Sequence, residues 1–416
     1  MKLLFKIYIL AFALLSFTSA NAVTIKWLHL NAENSPNMPG ILKAVAEYEA
    51  KTGNKVELQY LENESFKAKL PTMLQSNDRP DIFYSWSGGV MYDQARAGFL
   101  RDISGVVSDD YLSTLSAAAA NAFTFEEQRV GIPTHVAQVA WWYNKELVNQ
   151  AGVDVSKIVY WEDLLEVVKQ IKSAGITPIC LGGKDKWPVH FIWTHLHIRN
   201  GGQDLFLKSL NNGGWGRPEY VKSGEQMLEL VALDPFQNGY LAATWPDQAG
   251  LFGDGKCAMA LMGNWMYGAQ ASNSASGEGL ADDNMGMFNM PSTKGGLGDP
   301  GDTLGGINGW LFSSSAPDEA VELIMHYVSK ETQSEDAANG VYIPVVKGAD
   351  TSIKNPFLKQ VAGNIANSKY HQIFYDQFLG ADIGRVVNDV STDLAAGIIS
   401  PEEATAQVQE AWEFNQ

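Results

Sequence analysis

The fold is decided by residues 23–60, VTIKWLHLNAENSPNMPGILKAVAEYEAKTGNKVELQY. Residues 23–30 are rich in β-branched and aromatic side chains and read as a strand. A polar loop, NAENSPNMPG, follows; then Ile41, Leu42, Val45 and Tyr48 fall on one helical face, and Gly53 ends that helix. Lys55–Tyr60 is the next strand. The alternation continues outward with a helix over 66–74, a strand over 81–84, an amphipathic helix over Trp161–Ser173 closed by Gly175, and a strand over 176–181. Ser315, with Asp318 three residues on, predicts a capping box opening a helix to Ser329, and Ser400-Pro401-Glu402-Glu403 predicts the same start for the last helix. This order predicts an α/β protein on mostly parallel sheets. Such sheets take ligands outside the carboxyl ends of their strands, so the loops after Leu30, Tyr84 and Leu181 are the informative ones. Residues 271–302, rich in Gly, Ser and Asp, read as the longest irregular segment.

Before this unit stand Lys2 and Lys6, an apolar stretch over 7–17 and the small-residue site Ala20-Asn21-Ala22. That is the pattern of a signal peptide cut after Ala22, and the apolar stretch is shorter than the ~20 residues a membrane span needs. Without a Cys at the cut, no lipid anchor is expected, and the periplasm is the expected compartment. The rest is long enough for two or three domains of about 150 residues. The formal charge of the whole chain is −17, which argues against nucleic acid or an anionic membrane as partner. Cys180 and Cys257 sit in apolar runs; export permits a disulfide, but spacing leaves pairing open, and two buried small hydrophobes is the favoured reading.

Enzyme motifs are sparse. G-x-S-x-G, H-E-x-x-H and a phosphate-binding Walker loop are all missing. Residues 296–301, GLGDPG, match G-x-G-x-x-G, but no strand precedes them and Pro300 makes a poor helix opening. His195 and His197 form the only histidine cluster with His190; on a helix they point apart, so no metal site is expected.

The chain resembles the family 1 extracellular solute-binding proteins, the group of the maltose-binding protein. The resemblance runs through nearly the whole chain, in order: NESFKAKLPTMLQSNDRPDIFYSWSGG, AGFLRDIS, GIPTHVAQVAWWYNKELVNQAGV, WEDLLEVVKQIKSAGITPI, FGDGKCAMALMGNW, GGINGWLFSSSAPDEA and YIPVVKGA. WWYNKEL followed by AGV, and GKCAM paired with GNW, are its most specific parts. Similarity is greatest to binders of mono- and short oligosaccharides. Two local departures stand out. Tyr160 replaces the usual Thr before WEDLL, predicting a frayed helix start, and Ala137 replaces a carboxylate that binders of longer oligosaccharides carry.

The resemblance implies a periplasmic-binding-protein fold: two α/β lobes around a ligand cleft, with chain crossings near 133–135, 302–304 and 342–346. Residues 23–134 and 304–345 would form the N-terminal lobe, and 135–303 with 346–416 the C-terminal lobe. It implies a carbohydrate as ligand, an inner-membrane ABC permease as partner, a monomer, no cofactor and no catalysis. A polyol or polyamine binder is the alternative, and a carbohydrate-active enzyme a more distant one, since Glu33 and Glu64 have the residue types of a glycosidase pair.

A neutral sugar offers hydroxyls that must be paired when buried and C–H faces that suit aromatic rings. Several of the 12 Trp lie in Gly-rich turns rather than apolar stripes. Trp265 in GNW, Trp86 in YSWSGG and Trp187 after GGKDK are the candidate platforms, with His190 beside the last, whereas Trp310 reads as core. Polar candidates are Glu33 and Asn34 in the first strand–helix loop, Glu64 at the next helix start, His135 and Gln138 at the first crossing, and Asn308 beyond the second.

Overall fold

The computed structural model describes residues 22–416, so the expected signal peptide, residues 1–21 of it, lies outside the described residues. Strands β1 (Thr24–His29), β2 (Lys55–Tyr60) and β3 (Ile82–Ser85) pair in parallel, with β1 in the centre. A small hairpin, β4 (Thr124–Phe125) and β5 (Gln128–Arg129), precedes the long strand β6 (Gly131–Asn144). Then come β7 (Met259–Gly263), β8 (Met285–Phe288), β9 (Thr303–Phe312), β10 (Ile343–Pro344) and β11 (His371–Ile373).

The main sheet runs β10-β6-β9-β3-β1-β2, with β11 on β9 and with β7 and β8 on the far half of β6. Parallel pairing holds for β1–β2, β1–β3 and β11–β9, but β3–β9, β6–β9, β6–β7, β6–β8 and β10–β6 are antiparallel. The expected mostly parallel sheet is therefore corrected to a mixed one, because β9 runs between β3 and β6 against the direction of both, and β10 and β11 run with β9. β6 explains the two-lobed shape. Its first half packs on one apolar core with Trp27, Ile41, Tyr48 and Trp310; its second half, through Trp141 and Trp142, belongs to another with Trp161, Trp193 and Met259. Between them β10, β6 and β9 lie side by side, Pro344 opposite His135 and His135 opposite Asn308. Pro133, which has no N–H to give the ladder, sits at the register break before His135.

Several local expectations change. Residues 176–181 form single bridges at Ile179 rather than a strand, in keeping with the missing donor of Pro178. Residues 271–302 are not irregular throughout, since β8 forms there and pairs with β6. The helix Asp318–Tyr327 starts at Pro317 with no side-chain cap, and Asp318 instead meets Arg101. Ser400 caps as expected: it accepts from Glu403 N at 3.2 Å, and Glu403 accepts from Ser400 N at 2.8 Å. The Trp161–Ser173 helix does not fray, because Asp163 accepts from the backbones of Tyr160 (2.8 Å) and Val159 (3.1 Å). Cys180 and Cys257 are joined by a disulfide, which overturns the favoured reading. Cys180 N donates to Met259 O at 2.9 Å, so the two segments run side by side and bring the Cα atoms to 5.5 Å, within the bridging range.

Candidate functional site

Between the lobes lies a cavity of about 340 Å³, at the small end of ligand sites. One wall comes from the carboxyl ends of the parallel strands: Asn31 and Asn34 after β1, Tyr60 ending β2, Tyr84 and Trp86 at the end of β3. The opposite wall holds Trp187, His190 and Phe191 from the helix Trp187–Asn212, Trp245 at the start of Trp245–Gly253, Trp265 after β7, and Phe374 after β11. His135 and Asn308, on the adjoining strands β6 and β9, lie at the junction.

The indoles are fixed by one another. Trp187 lies 5.9 Å from Trp245 and 6.2 Å from Trp265, with rings inclined at 53° and 54°. Phe374 meets Trp265 edge-on at 6.1 Å, and Tyr84 meets Trp86 edge-on at 5.2 Å. Such tilted aromatic packing leaves ring faces aimed in several directions. Lys67 Nζ sits 5.5 Å from the Trp86 ring and 6.0 Å from that of Trp187, and its charge is answered by Glu64 at 3.2 Å and Asp376 at 3.8 Å.

The polar groups at the junction are ordered. Asn308 Nδ2 donates to His135 Nε2 at 2.9 Å, and the Tyr84 hydroxyl stands 3.4 Å from the same nitrogen. Burial pushes the His135 pKa down to about 4, so its ring is neutral and can accept. Its ring also stacks on Tyr342 at 5.2 Å. Burial likewise lowers His190, opposed by Asp376, whose carboxylate is 3.8 Å away. Burial raises Glu64 and Asp185, and Asp185 accepts from Trp245 N at 2.8 Å. Among the described residues, Asn308 Oδ1, Trp187 Nε1 and both His190 ring nitrogens have no hydrogen-bond partner. Buried groups of this kind cost stability until they are paired.

Of the residues singled out in the sequence, Trp265, Trp86, Trp187, His190, Asn34, His135 and Asn308 line the cavity. The others do not. Glu33 is exposed, Glu64 meets the cavity only through the lining side chains of Lys67 and Asn63, and Gln138 is buried elsewhere, donating to Asn289 Oδ1 at 2.9 Å. The sequence reading passed over Lys67, Tyr84, Trp245, Phe374 and Asp376. Two of these carried a signal: Lys67 is one helical turn from Glu64, and Trp245 follows Thr244 in a TWPD capping box. Phe374 and Asp376 lie in HQIFYDQF, far along the chain from any motif. His195 and His197 are buried in the helix, His195 facing Phe191 O at 2.9 Å and His197 packed 4.2 Å from Trp193.

Two α/β lobes are joined by several strands, and an aromatic cavity lies between them. The model for the bacterial extracellular solute-binding protein family matches residues 32–334, and the chain belongs to that family. An uncharacterised ABC transporter extracellular-binding protein of Pyrococcus horikoshii is 28% identical over 207 residues, covering 49% of this chain and 46% of the relative. The multiple sugar-binding protein of Streptococcus mutans is 21% identical over 300 residues, 68% of this chain and 66% of that one. The chain spans about half the length of the curated relatives it matches first. A protein solved in work on xylan utilization by Caldanaerobius polysaccharolyticus superposes with a TM-score of 0.86 at 25% identity, covering 93% of this chain and 99% of that one.

Proposed function

We propose that this chain is the carbohydrate-capturing component of an ABC importer, taking a mono- or short oligosaccharide between its lobes and presenting it to an inner-membrane permease. The observation that carries the reading is the inter-lobe cavity walled by Trp86, Trp187, Trp245 and Trp265, with His135 and Asn308 at its junction. Indole faces suit sugar C–H surfaces, and neutral polar groups suit hydroxyls. The name of the Streptococcus protein, and the xylan-utilization work in which the Caldanaerobius protein was solved, support the same ligand class.

In this reading the protein is exported to the periplasm after cleavage at Ala22, works as a monomer, needs no cofactor and does not turn its ligand over. The lobes divide at 134/135, 303/304 and 345/346, and hinge closure there shifts the population toward the ligand-closed state. Trp265, Trp86, Trp187, His190, Asn34, His135 and Asn308 would touch the sugar. A thermal-shift screen of residues 23–416 against mono-, di- and trisaccharides, with amino acids, polyamines and Zn²⁺ as controls, tests it. A ligand at about 100 times its Kd adds about 2.7 kcal/mol. A selective sugar shift, with the sugar intact afterwards, is the expected result; a shift from a control class alone contradicts it.

A further inference from the structure

The cavity is bounded on one side by contact between its two walls. Beyond it lies a second, more open depression of about 700 Å³, and the two share Asn34, Pro36, Gly268, Ser272 and Gly340 as a common wall. That wall is made by contact across the cleft. Asn34 Nδ2 donates to Ser272 O at 3.2 Å. Pro36 lies so close to Gly268 that a Cβ there would stand 2.6 Å from its Cγ. Gly268 is inside the helix Met266–Ser272, where glycine is less favourable than alanine, and the approach of Pro36 accounts for it. Gly340, at φ 77°, brings the third segment against the Tyr267 ring, 3.3 Å from where its Cβ would be.

We infer that this wall is a length stop. Pro36 seated on Gly268 and latched by Asn34 on Ser272 ends the inner cavity and selects short saccharides. On this side a chain of further rings could continue only by breaking the Asn34–Ser272 bond and parting Pro36 from Gly268, which works against closure. The outer depression is suited to those rings once the stop is gone: Tyr267 supplies an aromatic face, and Glu278 and Asp282 supply acceptors. The inference rests on the carbohydrate reading above and assigns to Pro36, Asn34 and Gly268 the choice of ligand length.

Calorimetric titration with xylo- and malto-oligosaccharides of one to five rings tests it, using wild type, the Asn34→Gly/Pro36→Ala double variant and Pro36→Ala alone. The readout is the ratio of four-ring to two-ring affinity. Wild type should favour one or two rings by about tenfold or more, about 1.4 kcal/mol, and the double variant should raise the ratio by about tenfold. The single variant, should the double one fail to fold, must move the ratio the same way. A wild type that binds four or five rings as tightly as two, or a folded variant with an unchanged ratio, overturns the stop. Silence of the wild type toward every saccharide is a different result, and overturns the carbohydrate reading itself.

Discussion

Trp265 owes its placement to a glycine. A Cβ at Gly263 would stand 2.0 Å from Trp265 Cζ3, so the GNW turn brings the indole back over its own strand end and aims it at Trp187 and Phe374. Gly263→Ala should therefore displace the ring, and Trp265→Ala remove it. Each is expected to weaken sugar binding by roughly 2 kcal/mol, about 30-fold in Kd, as titration calorimetry would show; an unchanged Kd would place the indole behind the site. Asp336 makes the second prediction at this scale. It is buried and accepts from the Tyr342 hydroxyl at 2.6 Å, and Tyr342 backs His135. Burial raises its pKa from 3.8 to about 6, with the Tyr342 hydrogen bond pulling the other way. The folded state then binds more protons than the unfolded one between these values, so the Asp336 contribution to stability falls as pH rises from about 4 through 6. Asp336→Asn removes that slope: melting temperatures should favour the variant progressively more at pH 7 than at pH 4.5, and a constant difference would refute the sign. Trp265 was legible because its motif is local. Gln138 was misplaced because a spacing of three from His135, which keeps one face of a helix, changes face on a strand, and β6 is a strand there.

At the scale of elements, the strand–helix alternation was legible wherever one apolar period ran long enough, as in Lys55–Tyr60 and Trp161–Ser173. Pairing was not, since the antiparallel insertion of β9 between β3 and β6 depends on residues far apart in the chain. The disulfide was hidden for the same reason: its cysteines are 77 residues apart, and their proximity comes from Met259 pairing beside Cys180. Closing a loop of that length removes unfolded-state freedom, with a typical effect of 2–4 kcal/mol. Cys180→Ser/Cys257→Ser, or full reduction, should lower denaturant stability by about that amount with little effect on sugar affinity, because neither cysteine lines the cavity. A variant as stable as wild type would contradict this account of the bridge. The helix start at Tyr160 teaches the complementary point, since Asp163, rather than the residue before the helix, satisfies the orphan backbone donors.

For the whole molecule, the two lobes touch at two places. Pro36 meets Gly268 on one side, and on the other Gly89 approaches the 378–380 backbone so closely that a Cβ there would stand 2.4 Å from Gly380 N. Charge inside is balanced locally, with Lys67 set between Glu64 and Asp376. A neutral ligand should therefore bind with a Kd that shifts less than about twofold between low and moderate salt, whereas an unpaired charge would make it salt-dependent. Tryptophan emission provides the most direct test, because Trp86, Trp187, Trp245 and Trp265 all line the cavity. Residues 23–416 would be titrated with the sugar that gives the largest thermal shift, at both salt concentrations. The account predicts a saturable spectral change with a Kd that holds across salt and is strongly weakened in Trp265→Ala. No change with any sugar, alongside a saturable response to an amino acid or polyamine, would contradict it.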